Sequence, residues 1–285
     1  MTRILNNDLS CDNQYSATGS DILSPMETPI QFATRLASQA SQLLLEYYNR
    51  QSNQIKLKPD QSLVTEADLA SDRLIARSIH EYTPDALIIS EELASIFPER
   101  IADSIWVIDP LDGTTNFSLG LQYWGVSIAC LVDGLPELGV ISFPMLNEVY
   151  IALRRNGAFL NGKPIQVKAP DSQFPAPFFS CCSRTYQDYF VRIPYKTRIL
   201  GSATYSFCSV ARGISVLSFE ARPKIWDLAA VWLLVQEAGG VVEIFDQRPL
   251  FPPLPGLDYS LHNFPCLAAA TPALKQKAHS WILPL

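Results

Sequence analysis

The stretch Ser104-Ile-Trp-Val-Ile-Asp-Pro-Leu-Asp-Gly-Thr-Thr-Asn-Phe117 packs an apolar strand, two carboxylates, a turn glycine and the paired hydroxyls of Thr114 and Thr115 into fourteen residues. Ile105 to Ile108 form a β-branched and aromatic run suited to an interior strand, and Pro110 is expected to end the ladder because it carries no donor. Asp109 then sits at a strand end. Asp112-Gly113 reverses the chain, and Thr114-Thr115-Asn116 supplies small polar residues where a helical turn can begin with its first N–H groups free for an anion. The carboxylates of Asp109 and Asp112, with the Leu111 carbonyl between them, converge as hard oxygen ligands of the kind Mg²⁺ takes. Standing alone, an Asp-x-x-Asp-Gly segment reads more simply as an acidic turn ahead of an N-cap. The rest of the chain decides between the two.

Three further stretches bear on that choice. In Val64-Thr-Glu-Ala-Asp68, Thr65 is an N-cap candidate with an acid three residues on, so Asp68 is either a capping-box partner or a catalytic carboxylate. Ser90-Glu91-Glu92 follows the apolar run Ala86 to Ile89, and a glutamate pair ending a buried strand is placed to point into a site. Trp226-Asp227 opens a helix, where an acid is favoured by the dipole whether or not it binds metal.

Taken together, Asp109-Pro-Leu-Asp-Gly-Thr-Thr-Asn-Phe117 and these three stretches, in this order, resemble the motifs of the inositol monophosphatase family, and the resemblance runs from about Thr28 to the C-terminus. It implies a layered αβαβα sandwich and Mg²⁺-dependent hydrolysis of a small phosphate monoester. It also implies the ligand set. Glu91, Asp109 and the Leu111 carbonyl hold one ion; Asp109, Asp112 and Asp227 hold a second; Thr114 and Asp68 orient and deprotonate the attacking water. Phosphate oxygens are taken by backbone N–H groups of Gly113 and Thr114, and substrate hydroxyls by Gly201, Ala203 and Glu220. Inhibition by Li⁺ and a homodimer follow from the same resemblance. The sequence departs from the family in having Ser90 where relatives commonly carry Gly, which bears on the turn, and Val216 where many carry Asp. The motifs leave the substrate open among inositol monophosphate, histidinol phosphate, a sugar bisphosphate and a phosphorylated nucleotide. A non-catalytic interaction protein is the reading of another class, and the complete set of acids argues against it.

Composition agrees with a globular protein. The 285 residues are 48% hydrophobic and 18% charged, enough for one large or two smaller domains. A net charge of -6 gives no overall basic footprint, so nucleic acid is not expected as the partner, and any phosphate must be met locally. Six cysteines without a Cys-x-x-Cys pairing read as free thiols in a reducing compartment. No run reaches the twenty or so apolar residues of a membrane span and no signal-peptide layout is visible, so a cytoplasmic protein is expected.

Along the chain, residues 1–27 read as a disordered tail rich in Asn, Ser and Asp. Residues 28–167 read as an α+β domain: helices from Pro29 and Thr65, then an antiparallel meander with turns at Asp133-Gly134, Asn156-Gly157 and Asn161-Gly162. After a Pro-rich boundary, residues 168–285 read as an α/β domain. Its expected elements include strands at Phe178 to Cys181, Ile199-Leu200 and Ser215 to Glu220, and helices near Arg184 to Phe190, Ala203 to Arg212 and Leu228 to Ala238. In the loop before Trp226, Arg222 and Lys224 either meet an anionic substrate group or lie in water. His80, His262 and His279 fall outside every motif.

Overall fold

The structure, a computed structural model, describes residues 27–50, 55–57, 63–93, 96–97, 104–170 and 177–285. Residues 1–26 of the tail expected over 1–27, Pro59-Asp60, where the sequence suggests a turn, and the centre of the Pro-rich boundary lie outside them. Helix α1 (Pro29–Arg50) buries Phe32, Leu36, Ala40 and Leu44, an i, i+4 stripe that faces the core. Strands β1 (Ile55–Leu57) and β2 (Leu63–Thr65) pair antiparallel and lead into α2 (Glu66–Tyr82). A seven-stranded sheet follows in the spatial order β3 (Leu87–Ser90), β4 (Ser104–Asp112), β5 (Gly125–Val132), β6 (Leu135–Phe143), β7 (Glu148–Leu153), β8 (Gly157–Leu160) and β9 (Lys163–Pro164). Only β3 and β4 run parallel; the other pairs are the expected antiparallel meander. The short helix α3 (Thr114–Ser118) lies between β4 and β5.

Strand β4 does not stop at Asp109 as the proline suggested. It continues to Asp112, with Asp109 opposite Ser127 and Asp112 opposite Gly125. Pro110 and Leu111 therefore face the single residue Val126, and this bulge gives the proline a place where no ladder donor is required.

The second half builds a five-stranded sheet in the order β12 (Lys196–Arg198), β10 (Phe178–Cys181), β13 (Ser215–Glu220), β15 (Cys266–Ala269), β14 (Val241–Ile244). The helix expected near Arg184 to Phe190 is one turn only, α4 (Thr185–Asp188). The chain then becomes β11 (Tyr189–Val191), which pairs with the C-terminal β16 (Ile282–Pro284), since an aromatic pair and a valine suit a strand better than a helix. Ile199 and Leu200 lie just past β12 and lead to the left-handed Gly201, so the strand is earlier than expected. Helices α5 (Ala203–Ala211), α6 (Ile225–Glu237) and α7 (Pro272–Trp281) complete the chain.

Five layers result. In β4, Trp106 and Ile108 point to the core under α1 and α2, whereas Ile105 and Val107 point to a second core shared with α5 and α6. That second core also holds Cys266 and Ala268 of the smaller sheet, so the middle helices are buried between two sheets. The far face of the smaller sheet packs Phe179, Leu217 and Leu267 against Leu274 and Ala278 of α7. The five cysteines among the described residues are free. No described helix is long and apolar enough to cross a membrane.

Helix α6 can lie flat on the larger sheet because Gly139 of β6 has no side chain: a Cβ there would sit 3.0 Å from both Cα and O of Ala230. Gly139→Ala is therefore expected to destabilise the protein by about 1–3 kcal/mol through overpacking, measured as a shift of the urea midpoint with an unchanged slope.

Candidate active site

Three of the acids singled out in the sequence meet where the β4 bulge faces the start of α6. Carboxylate oxygens of Asp109, Asp112 and Asp227 all lie within 4.8 Å of one another. Asp109 and Asp112 are buried at 1% and 5% exposure, and Asp227 is half-buried. Each carboxylate has one oxygen held by the protein. Asp109 Oδ1 accepts from the Leu111 N–H at 3.1 Å. Asp112 Oδ2 accepts from the Ser202 hydroxyl and from the Thr204 N–H at 3.2 Å. Asp227 Oδ2 accepts from the Lys224 N–H at 2.6 Å.

Asp68 is buried at the first turn of α2. Its Oδ2 accepts from the Thr65 N–H at 2.8 Å and from the Thr65 hydroxyl at 2.5 Å, while Oδ1 lies 2.9 Å from Thr114 Oγ1. The capping box expected at Thr65 is present through Oδ2, and Oδ1 is left to meet Thr114. Thr114 Oγ1 is also 3.1 Å from the Leu111 carbonyl. Glu91 follows β3 at a bend, half-buried, and its charge acts on Asp68, Asp109, Asp112 and Asp227 alike.

Local sequence explains the shape of the loop. Gly113 has φ +87°, and a Cβ there would lie 2.7 Å from the Tyr123 carbonyl, so the turn between the bulge and α3 accepts only glycine. Beneath it, Phe117 packs edge-on against Trp124 at 4.9 Å and against Tyr48 of α1 at 5.4 Å, which anchors α3 to the outer helix. Asn116 reaches the other way. Its amide donates to the Tyr123 and Leu200 carbonyls at 2.7 and 2.8 Å, and its side chain fills the space that a Cβ on Gly201 would need.

Gly201 and Ala203 thus lie at the start of α5, beside the residues that hold Asp112. Glu220, at the end of β13, is buried at 3% exposure, within reach of the charges of Asp112 and Asp227 and beside Ser206 and Cys182. Arg222 and Lys224 are engaged elsewhere. Arg222 makes a two-pronged pair with Asp188, both bonds 2.6 Å, and Lys224 Nζ donates to the Ser260 carbonyl. Val216 is core, and His279 is stacked on Phe245 away from the acids. Sequence reading missed Ser202, Ser71 and Asp72. Ser202 carried a visible signal as the residue before a helix, since it is the N-cap of α5, but its second bond to Asp112 joins residues 90 apart.

Withdrawal from water dominates the electrostatics. It pushes Asp68 and Asp112 up to about 6, and Asp227 and Glu220 to about 8. Asp109 is raised well above the carboxylate range by its burial and then by Glu91, Asp112 and Asp227. The groups acting on Asp109 are thus other acids, and its Oδ2 is buried with no protein donor. Among the described residues no Cys or His joins the cluster. A set of hard oxygens with an orphaned lone pair and mutually repelling charges fits a divalent cation such as Mg²⁺.

The inositol monophosphatase family model matches residues 26–280. A histidinol-phosphatase of Chlorobaculum parvum is 36% identical over 78% of this chain and 87% of its own length. A fructose-1,6-bisphosphatase/inositol-1-monophosphatase of Thermotoga maritima is 35% identical over 77% of this chain and 86% of its own. Among solved structures, the extragenic suppressor protein suhB of Bartonella henselae superposes with a TM-score of 0.73 at 27% identity, covering 87% of this chain and 95% of that one.

Each raised carboxylate has a folded value above its ordinary one, so the metal-free fold binds more protons than the unfolded chain from about pH 4 to about pH 8. Stability in chelator is expected to fall as pH rises through that window. Saturating Mg²⁺ should remove most of the fall, and thermal melts at several pH values with and without metal measure both.

Proposed function

The chain belongs to the inositol monophosphatase family, and from that premise we propose that it is a Mg²⁺-dependent phosphatase of small phosphorylated polyols, with inositol monophosphate as the first candidate. The observation that carries this reading is the juxtaposition of three carboxylates within 4.8 Å with a hydroxyl-carboxylate pair, Thr114 and Asp68, at 2.9 Å. Glu91, Asp109 and the Leu111 carbonyl would hold one ion, and Asp109, Asp112 and Asp227 a second. Bound there, Mg²⁺ would neutralise phosphate oxygens, acidify a water and support the leaving oxygen.

The protein's own part is to place and receive. Asp68 Oδ1 is the base. With Oδ2 fixed by Thr65, it can take the Thr114 proton while Thr114 Oγ1 takes one from the attacking water. The N–H groups of Gly113 and Thr114, at the start of α3, would receive phosphate oxygens. Glu220 would accept from a substrate diol beside the backbone of Gly201 and Ala203. Because Arg222 is pinned to Asp188, a second phosphate on the substrate finds no guanidinium there, and this favours a monophosphate. Inhibition by Li⁺, a homodimer and a cytoplasmic location belong to the same reading.

The same chemistry on histidinol phosphate is the second reading, favoured by the 36% identity to a histidinol-phosphatase. Phosphate release across inositol monophosphate, histidinol phosphate, a sugar bisphosphate and a nucleotide separates the two. No release from any of them with Mg²⁺ present would leave the interaction-protein alternative standing.

Two sets of variants probe the assignments. Asp109→Asn is expected to weaken Mg²⁺ binding in calorimetry, whereas Asp68→Asn should keep metal and substrate affinity and lose roughly 10²–10⁴ in kcat. Wild-type turnover by Asp68→Asn would reduce that residue to a helix cap. For the substrate side, Glu220→Gln should raise KM for inositol monophosphate while Arg222→Ala leaves it near the wild-type value. A loss confined to a sugar bisphosphate in Arg222→Ala would reverse the preference for monophosphates.

A further inference from the structure

We infer that Asp72 and Ser90 form a latch that sets the position of Glu91, making both of them positioning residues for the metal site. The inference rests on the metal reading above and extends it to residues outside the ligand set.

Strand β3 is the edge of the large sheet and is paired on one side only, with β4. Its last residue, Ser90, lies opposite Ile108, one position before Asp109. Beyond Ser90 the chain leaves the sheet in the bend at Glu91, Glu92 and Leu93. The Ser90 side chain ties down the start of that bend. The Ser90 hydroxyl donates to Asp72 Oδ1 and accepts from the Glu92 N–H at 3.3 Å. One oxygen thus joins helix α2 to the backbone on the far side of Glu91.

Asp72 belongs to a set. Asp68, Ser71 and Asp72 stand at i, i+3 and i+4 on α2, on one face of the helix. Asp68 meets Thr114 after the β4 bulge, Ser71 donates to the Pro110 carbonyl inside the bulge at 2.9 Å, and Asp72 receives Ser90 before Glu91. A single rigid element therefore gauges the distance between the Glu91 bend and the Asp109 bulge. Packing alone does not account for the pair. Asp72 and Ser90 are both 0% exposed, and an apolar pair of similar volume would fill the space without drawing a carboxylate out of water.

The test compares Ser90→Ala, Ser90→Gly and Ser90→Thr with wild type by two readouts: the rise of the thermal midpoint during a Mg²⁺ titration, and the Mg²⁺ concentration giving half-maximal phosphate release. Ser90→Ala and Ser90→Gly are expected to need about 10-fold more Mg²⁺ in both, the low end of the effect of groups that orient metal ligands. Much of kcat should return at saturating metal. Ser90→Thr keeps the hydroxyl and should behave as wild type. Ser78→Ala, which removes a hydroxyl bonded to Leu74 O within the same helix, should shift neither readout. If the Ala and Gly variants melt lower in chelator yet show the wild-type Mg²⁺ half-points, the pair is packing and the latch is wrong. If wild type itself does not respond to Mg²⁺, the metal reading fails first and the latch with it. Should Ser90→Ala not fold, Ser90→Gly, the residue that relatives commonly carry here, decides alone.

Discussion

Several carboxylates withdrawn from water within a few ångströms of one another repel, and the arrangement around them manages that repulsion. None of the three clustered acids is left to rely on a neighbouring cation. Each has one oxygen fixed by a backbone N–H or a hydroxyl: Leu111 for Asp109, Ser202 and Thr204 for Asp112, Lys224 for Asp227. Fixing one oxygen aims the other inward. The fold is in this sense built to hold an unfavourable charge distribution still, which is the preorganisation that phosphoryl chemistry requires.

The clamp needs both halves of the chain. The β4 bulge and α3 come from the larger sheet, but Asp112 is held by the cap of α5, and Asn116 ties α3 to the carbonyl of Leu200. Helix α6 lies on the larger sheet through the gap at Gly139, so the carboxylate of Asp227 arrives from the second half onto the first. The shared core of β3 to β7 with α5 and α6 makes the site a property of the layered stack rather than of either sheet.

Much of this was legible because it is local. The apolar β-branched run Ile105 to Ile108, the turn glycines of the meander and the cap at Thr65 each act over a few residues, and each appears where expected. The failures have physical causes. Pro110 was read as a strand end because its lack of a donor is a local fact, whereas the bulge that tolerates it depends on the register of β5. Tyr189 to Val191 became a strand because the C-terminal segment is there to pair with it, across 91 to 95 residues of sequence as counted from the paired positions Val191 with Ile282 and Tyr189 with Pro284. The sequence left Arg222 open between an anionic substrate group and water, because its partner Asp188 lies on another element. Ser90 was noted only as a residue in place of glycine, since its partner Asp72 belongs to another element.

The burial of α6 between two sheets also has a consequence for timing. Ile105, Val107, Ala129, Leu131 and Ile141 line the inner face of the larger sheet, and their cover includes Leu228, Val231 and Val235. A chain synthesised from its N-terminus can pair the meander strands well before that helix exists. Throughout that interval one whole side of the nascent sheet is greasy and open, and it is vulnerable to sticking to other chains. The cell therefore carries a half-made sheet that depends on the speed of translation, or on a chaperone, until the last third of the polypeptide arrives to close it.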